Sequence, residues 1–209
     1  VDIRTLFYGA VGKYEELEQN PDKVIDYAAL RYGLYRSGKA IDVITSFEPE
    51  LHGFCKWMQQ LLGESEGKVG KGIFPTVASY STDLHSIGQM VQQGTRNLME
   101  TMIGIEKPVS SLTVPENGSD NDDGLDYLTG RRLHDINYAA YSGTRQAHND
   151  GDVPVISLFI ETLNEQNIGE LIYFYELFTA VYVYCLDVNP FDQPGVENYK
   201  RAMYKLLGK

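Results

Sequence analysis

Cysteine is scarce in this chain of 209 residues: only Cys55 and Cys185 are present, each inside an apolar helical pattern, and two such residues offer no disulfide framework. A reducing, cytoplasmic setting is therefore expected. Basic charge is also in deficit, with 18 Lys and Arg against 29 Asp and Glu and a formal net charge of −11. Nucleic acid and anionic membrane surfaces are captured by clustered Lys and Arg, so no nucleic-acid or membrane partner is expected. A small anionic substrate responds to local charge only and stays open. No segment approaches the ~20 apolar residues of a membrane span, and the opening VDIRTLFYGA has neither the basic start nor the small-residue cleavage site of a signal peptide.

Several chemistries are excluded by missing motifs. GESEGKVGKG, residues 63–72, is glycine-rich like a phosphate loop, but it lacks the Walker spacing and the Ser or Thr after Gly-Lys. The acidic run ENGSDNDDGLD, Glu116 to Asp126, resembles a calcium loop. Setting Gly124 at the sixth position puts Ser119, Asn121 and Asp123 at ligand positions, but leaves Gly130 where a bidentate Glu is required. A solvated, mobile loop is expected instead. His52 and Cys55 are three residues apart, and no second pair of matching spacing completes a zinc site. There is no GxSxG elbow and no dinucleotide GxGxxG. No metal and no organic cofactor are expected.

What is present is 43% hydrophobic and 22% charged sequence, an ordinary globular composition. Residues 1–38 read as two helices, and such a helical lead-in in place of an opening strand points to a fragment or excised domain. From 39 to 209 apolar runs alternate with helical periodicity. Strands are expected at Ala40 to Ser46, Gly72 to Ala78, Leu98 to Ile105 and Val153 to Ile160. Helices are expected at Pro49 to Leu62, Ser81 to Gln93, Arg131 to Ala147, Asn167 to Leu186 and Val196 to Leu207. Strands separated by helices require crossover connections, hence an α/β three-layer αβα sandwich with a mostly parallel sheet, a helical lead-in and a C-terminal helix. Ligand crevices of such sheets lie at the carboxyl ends of the strands, where the site residues are expected to gather.

The run NPFDQPGVENYK, Asn189 to Lys200, is the most informative segment. Pro190 and Pro194 force a bend before the last helix, and Gln193 and Lys200 stand seven residues apart, two turns of helix. An amide and an ammonium on one face suit a polyhydroxylated anionic substrate. On local chemistry alone, Pro-Gly before a helix is ordinary capping and Lys200 an ordinary solvated lysine.

Three strings, in order, resemble the glucose-6-phosphate isomerases in their bacterial form. FDQPGVE followed by Lys200 is similar to the C-terminal signature of that family. QQLLGESEGK, Gln59 to Lys68, resembles the segment carrying its catalytic glutamate, and STDLHSIGQMVQQGTRN, Ser81 to Asn97, the segment carrying its ring-opening histidine. The resemblance covers nearly the whole chain and implies that 39–209 is the second of two sugar isomerase (SIS) domains, the first being absent. It implies Glu64 as the general base that moves a proton between adjacent carbons through an enediol(ate), with Gln60 and Gln193 as uncharged binders. It also implies that His85, aided by Lys200, shuttles protons on the sugar oxygens during ring opening, and that His85 completes the site of a partner subunit, so that catalysis requires a homodimer. The implied reaction interconverts glucose 6-phosphate and fructose 6-phosphate in glycolysis and gluconeogenesis.

Each of these residues also has a plainer account. Glu64, beside Glu66, is expected just past the end of its helix, where the dipole does not favour its ionised form and its basicity rises, or it is a solvated loop carboxylate. His85 is expected in the first turn of a helix capped by Ser81, Thr82 or Asp83. His52, His134 and His148 are expected to be structural. The family's Ser/Thr-rich phosphate pocket and enediolate-stabilising arginine have no match, and Arg4 is not in a context that allows it that role. The 209 residues alone are therefore expected to turn over poorly or not at all. The alternatives are a non-catalytic SIS-type phosphosugar-binding or dimerisation module, and an isomerase of another phosphosugar such as mannose 6-phosphate.

Overall fold

The computed structural model describes residues 1–116 and 123–209. The acidic run expected to be a loop therefore falls largely outside the described residues. Four strands, β1 (Ile41–Ser46), β2 (Phe74–Ser79), β3 (Leu98–Ile105) and β4 (Val155–Ile160), form one sheet in the order β2-β1-β3-β4. Every pairing is parallel. Successive side chains alternate between the two faces. On one face Ile44, Ile103, Ile105 and Ile160 enter the main core with α3 (His52–Glu66), α6 (Glu165–Cys185) and α2 (Asp22–Arg36). On the other, Val43 and Met102 pack with Phe47, Tyr80 and Tyr141 of α5 (Leu133–Asp150), while Val91 of α4 (Gly88–Gln93) covers Leu98 and Val153. Three layers result, as the alternation of strand and helix implies.

The lead-in is α1 (Ile3–Gln19) followed by α2, and α1 lies along α6. That crossing is glycine on glycine. A Cβ on Gly169 would fall 1.9 Å from the Leu6 carbonyl oxygen, and one on Gly9 would fall 2.1 Å from that of Gln166. Neither position tolerates a larger residue without separating the helices. By length and composition α6 passes as a membrane span, against the expectation that no segment does. It is the central helix of this fold: Tyr175, Phe178, Tyr182 and Val183 are fully buried beneath the lead-in and α3.

The helix expected over Ser81 to Gln93 is interrupted. A 3₁₀ turn, Thr82–His85, is separated from α4 at Gly88. Asp83 accepts the Ser79 amide at 2.7 Å and the Ser86 hydroxyl at 3.1 Å, which closes a tight local turn instead of starting a longer helix. The last helix, α7 (Pro194–Leu206), begins at the proline, two residues earlier than expected, with Gln193 as its N-cap. It buries none of its residues, and Tyr199, Met203 and Tyr204 are exposed.

Candidate functional site

Since α3 follows β1 and precedes β2 in a parallel sheet, it must run back from the carboxyl to the amino edge. Its first residue, His52, meets Ser79 at the end of β2 (Nδ1 to Oγ 2.6 Å), and near its end Glu66 accepts the amide of Ile73, just before β2 (2.9 Å). Glu64 lies inside the last turn of α3, not past its end as expected, and therefore at the amino edge of the sheet. His85 closes the turn that follows β2, at the carboxyl edge, and its side chain is exposed. A strand of six residues separates the two edges by roughly 20 Å. The candidate residues thus do not gather at the carboxyl ends of the strands, because the helix carrying the carboxylate ends at the opposite edge.

At the amino edge two distant segments meet. Gln193 Nε2 donates to Glu64 Oε2 at 3.0 Å, and Gln60 Nε2, one helical turn before the carboxylate, approaches Oε1 at 3.4 Å. Both carboxylate oxygens are thereby oriented by neutral amides, and the group remains exposed to solvent. Lys200 is not part of this cluster: its ammonium bonds Glu197 at 3.0 Å on the same helix, and that carboxylate raises its pKa above the ordinary lysine value.

Beneath the cluster lies a fully buried ion set. Arg31 of α2 bonds Asp42 of β1 and, at 2.8 Å, Glu66 of α3. Burial alone would lower the Arg31 pKa, but Glu66 and Asp42 outweigh it and hold the guanidinium well above its ordinary value. The set fixes the last turn of α3 to the start of β1 and to the lead-in. Nothing in local spacing marks these three residues as partners, since each comes from a different element.

The glycine-rich run 63–72 completes α3 as far as Glu66 and continues over 67–72 as a strap, with Val69, Gly70 and Gly72 all at positive φ. It folds back so that Lys71 donates to the Leu186 carbonyl at 2.8 Å, and Lys68, only 9% exposed, donates to the Asn189 carbonyl and pairs with Asp192 at 3.3 Å. Lys71 sits at the C-terminal end of α6, where a cation complements the unpaired carbonyls, and Lys68 holds the loop beyond it. The sequence signal for them was present, two lysines among glycines, but spacing alone does not say which distant loop they reach.

At the carboxyl edge a cavity of about 580 Å³ is lined by Glu48, Tyr80, Thr82, His134 and Asn137 among others. Of the three histidines expected to be structural, His52 bonds Ser79, and His148 is buried against Glu100, which also accepts the Tyr80 hydroxyl at 2.5 Å. Among the described residues no group of His, Cys, Asp and Glu is placed to hold a metal ion.

A family model described as phosphoglucose isomerase matches residues 133–208, the part that contains Gln193 and Lys200. Over 99% of its length the chain is 47% identical to a glucose-6-phosphate isomerase of Leptospira biflexa, and over 93% it is 50% identical to one of Bacillus cytotoxicus. It covers 47% and 42% of those proteins, so the chain spans about half the length of the curated relatives it matches. Among solved structures, a hypothetical protein of Thermus thermophilus superposes over the whole chain and 51% of its own, with a TM-score of 0.91 at 24% identity. A glucose-6-phosphate isomerase of Chlamydia trachomatis covers 82% of the chain, which spans 35% of that protein, with a TM-score of 0.68 at 19% identity. These two likenesses concern the fold. With all three signature strings in place and near-half identity along its entire length, the chain belongs to the phosphoglucose isomerase family.

Proposed function

We propose that this chain is the C-terminal SIS domain of a glucose-6-phosphate isomerase, and that the whole protein interconverts glucose 6-phosphate and fructose 6-phosphate. Glu64 is the base: in the open-chain aldose it takes the proton from C2 to give an enediol(ate) and returns it to C1, while the O2 proton passes to O1, so that O2 becomes the carbonyl and O1 a hydroxyl. Such a transfer needs one carboxylate within reach of both carbons, with its lone pairs held in a fixed direction. The observation that carries this reading is the pair of amides, Gln60 and Gln193, converging on the two oxygens of Glu64 from separate parts of the chain.

Ring opening is assigned to His85 with Lys200. At opposite edges of the sheet, Glu64 and His85 of one copy do not meet on one sugar, so His85 serves the site of a partner subunit and the active form is a homodimer. Lys200, two turns along an unburied helix, reaches the sugar oxygens by leaving Glu197. The phosphate pocket and the cation that stabilises the enediolate come from the preceding domain, and these 209 residues alone turn over poorly. The reading carries with it a role in glycolysis and gluconeogenesis and a cytoplasmic location.

A coupled assay of glucose 6-phosphate to fructose 6-phosphate on the natural full-length protein, beside Glu64→Gln, tests this. Turnover that falls by several orders of magnitude in the variant is expected. A correctly folded full-length protein without turnover would leave the non-catalytic phosphosugar-binding module as the better account.

A further inference from the structure

The geometry points to Lys68 as the residue that positions Gln193 against Glu64, and through it sets the direction of the proposed base. On its C-terminal side Gln193 is followed by α7, which buries none of its residues and so offers it little anchorage. Its placement depends on the connection before it, residues 186–192. That connection is held by the buried Pro190, by the Asn189 side chain accepting the Phe191 amide at 3.0 Å, and by the two lysines of the strap. Lys71 grips the beginning of the connection at Leu186. Lys68 grips the part next to Gln193, at the Asn189 carbonyl and at Asp192.

Lys68 stands four residues after Glu64, so the base and the clamp on its partner amide belong to one short segment. The ammonium is almost wholly buried and needs its acceptors, since a buried charge left without partners is strongly unfavourable. Rotation of residues 189–193 away from α3 would strip Lys68 of both partners together and break the Gln193 to Glu64 bond. Lys68 is a positioning residue: it touches the loop and acts on Glu64 only through Gln193.

This inference rests on the isomerase reading, and the test separates the two. In the natural full-length protein, Lys68→Met and Gln193→Ala are each expected to lower kcat by about tenfold or more, the scale on which small misplacements of catalytic groups act. The double variant is expected to be no slower than Gln193→Ala alone, and Lys68→Arg to recover most of the lost rate. A general loss of stability would multiply in the double variant instead, so multiplication, or an unchanged kcat in Lys68→Met, overturns the proposal. Should Lys68→Met fail to fold, the half-exposed Asp192→Asn carries the same comparison, with a smaller loss expected that vanishes in the Gln193→Ala background. An inactive wild-type protein would sink the isomerase reading alone. The side-chain amide signals of Gln193 in ¹⁵N spectra would still decide the contact, moving in Lys68→Met if Lys68 holds it and staying in place if not.

Discussion

Gln193 and Glu64, 129 residues apart in the chain, are joined by an amide-to-carboxylate hydrogen bond of 3.0 Å. That bond closes the gap between the turn before the last helix and the end of α3. It places a neutral donor on a carboxylate that Gln60 approaches from the other side. The arrangement fixes the direction of the carboxylate without adding a positive charge, which suits the proposed role of a base that must take up a proton.

A base that moves hydrogen between carbons also exchanges it with solvent. Full-length wild-type protein in D₂O is expected to incorporate deuterium at C2 of glucose 6-phosphate, and Glu64→Gln to lose that exchange along with net conversion, while substrate still binds. NMR of the recovered sugar reads it. Exchange persisting in the variant would assign the base elsewhere.

Arg31→Met leaves Asp42 and Glu66 buried without a counter-charge. Removing one partner from a buried ion set costs about 3–5 kcal/mol, and urea unfolding of the purified protein is expected to show a midpoint lowered accordingly. Because Glu66 shares the last turn of α3 with Glu64, turnover of the surviving folded fraction should fall as well.

The α1 to α6 crossing predicts a second stability defect with a different cause. Gly169→Ala forces a methyl group into the Leu6 carbonyl, and overpacking of this kind typically costs about 1–3 kcal/mol. Amide hydrogen exchange is expected to rise along α1, with the sheet far less affected. Uniform protection along α1 in the variant would contradict the close approach.

Burial pushes the Cys55 thiol up to about 12 from a reference value of 9.0, and it raises the hydroxyls of Tyr27, Tyr80 and Tyr175 in the same direction. An acid whose folded pKa is raised contributes stability that is fully present below its unfolded pKa and is lost as pH rises through the folded one. For Cys55 that window opens near pH 9 and extends to about 12. Cys55→Ala is expected to lose less stability than wild type between neutral pH and pH 10.5, measured by denaturant unfolding. At pH 8 a thiol reagent should label exposed Cys185 and spare Cys55 until the protein unfolds.

Much of this architecture is legible in the residues. Short apolar runs with β-branched residues, such as IDVITS and VISLFI, became β1 and β4, and the intervening 3.6-residue periodicity became helices, since both periods are set by backbone geometry that each segment carries itself. The interruption after His85 was missed because Asp83 turns back onto the Ser79 amide, a local side-chain bond that competes with helix propagation. The Arg31, Asp42 and Glu66 set and the reach of Lys68 were not legible, because their partners lie in separate elements and pair only once those elements pack.

The sequence by itself determined the alternation of strands and helices, the apolar faces that build three layers, and the three strings that carry the family resemblance. Tertiary structure alone decided that Glu64 and Gln193 meet at the amino edge of the sheet while His85 stands at the other. The physical reason is direction. In a parallel sheet every crossover helix runs back against the strands, so whether a side chain lies at the start or the end of its helix decides which edge it serves.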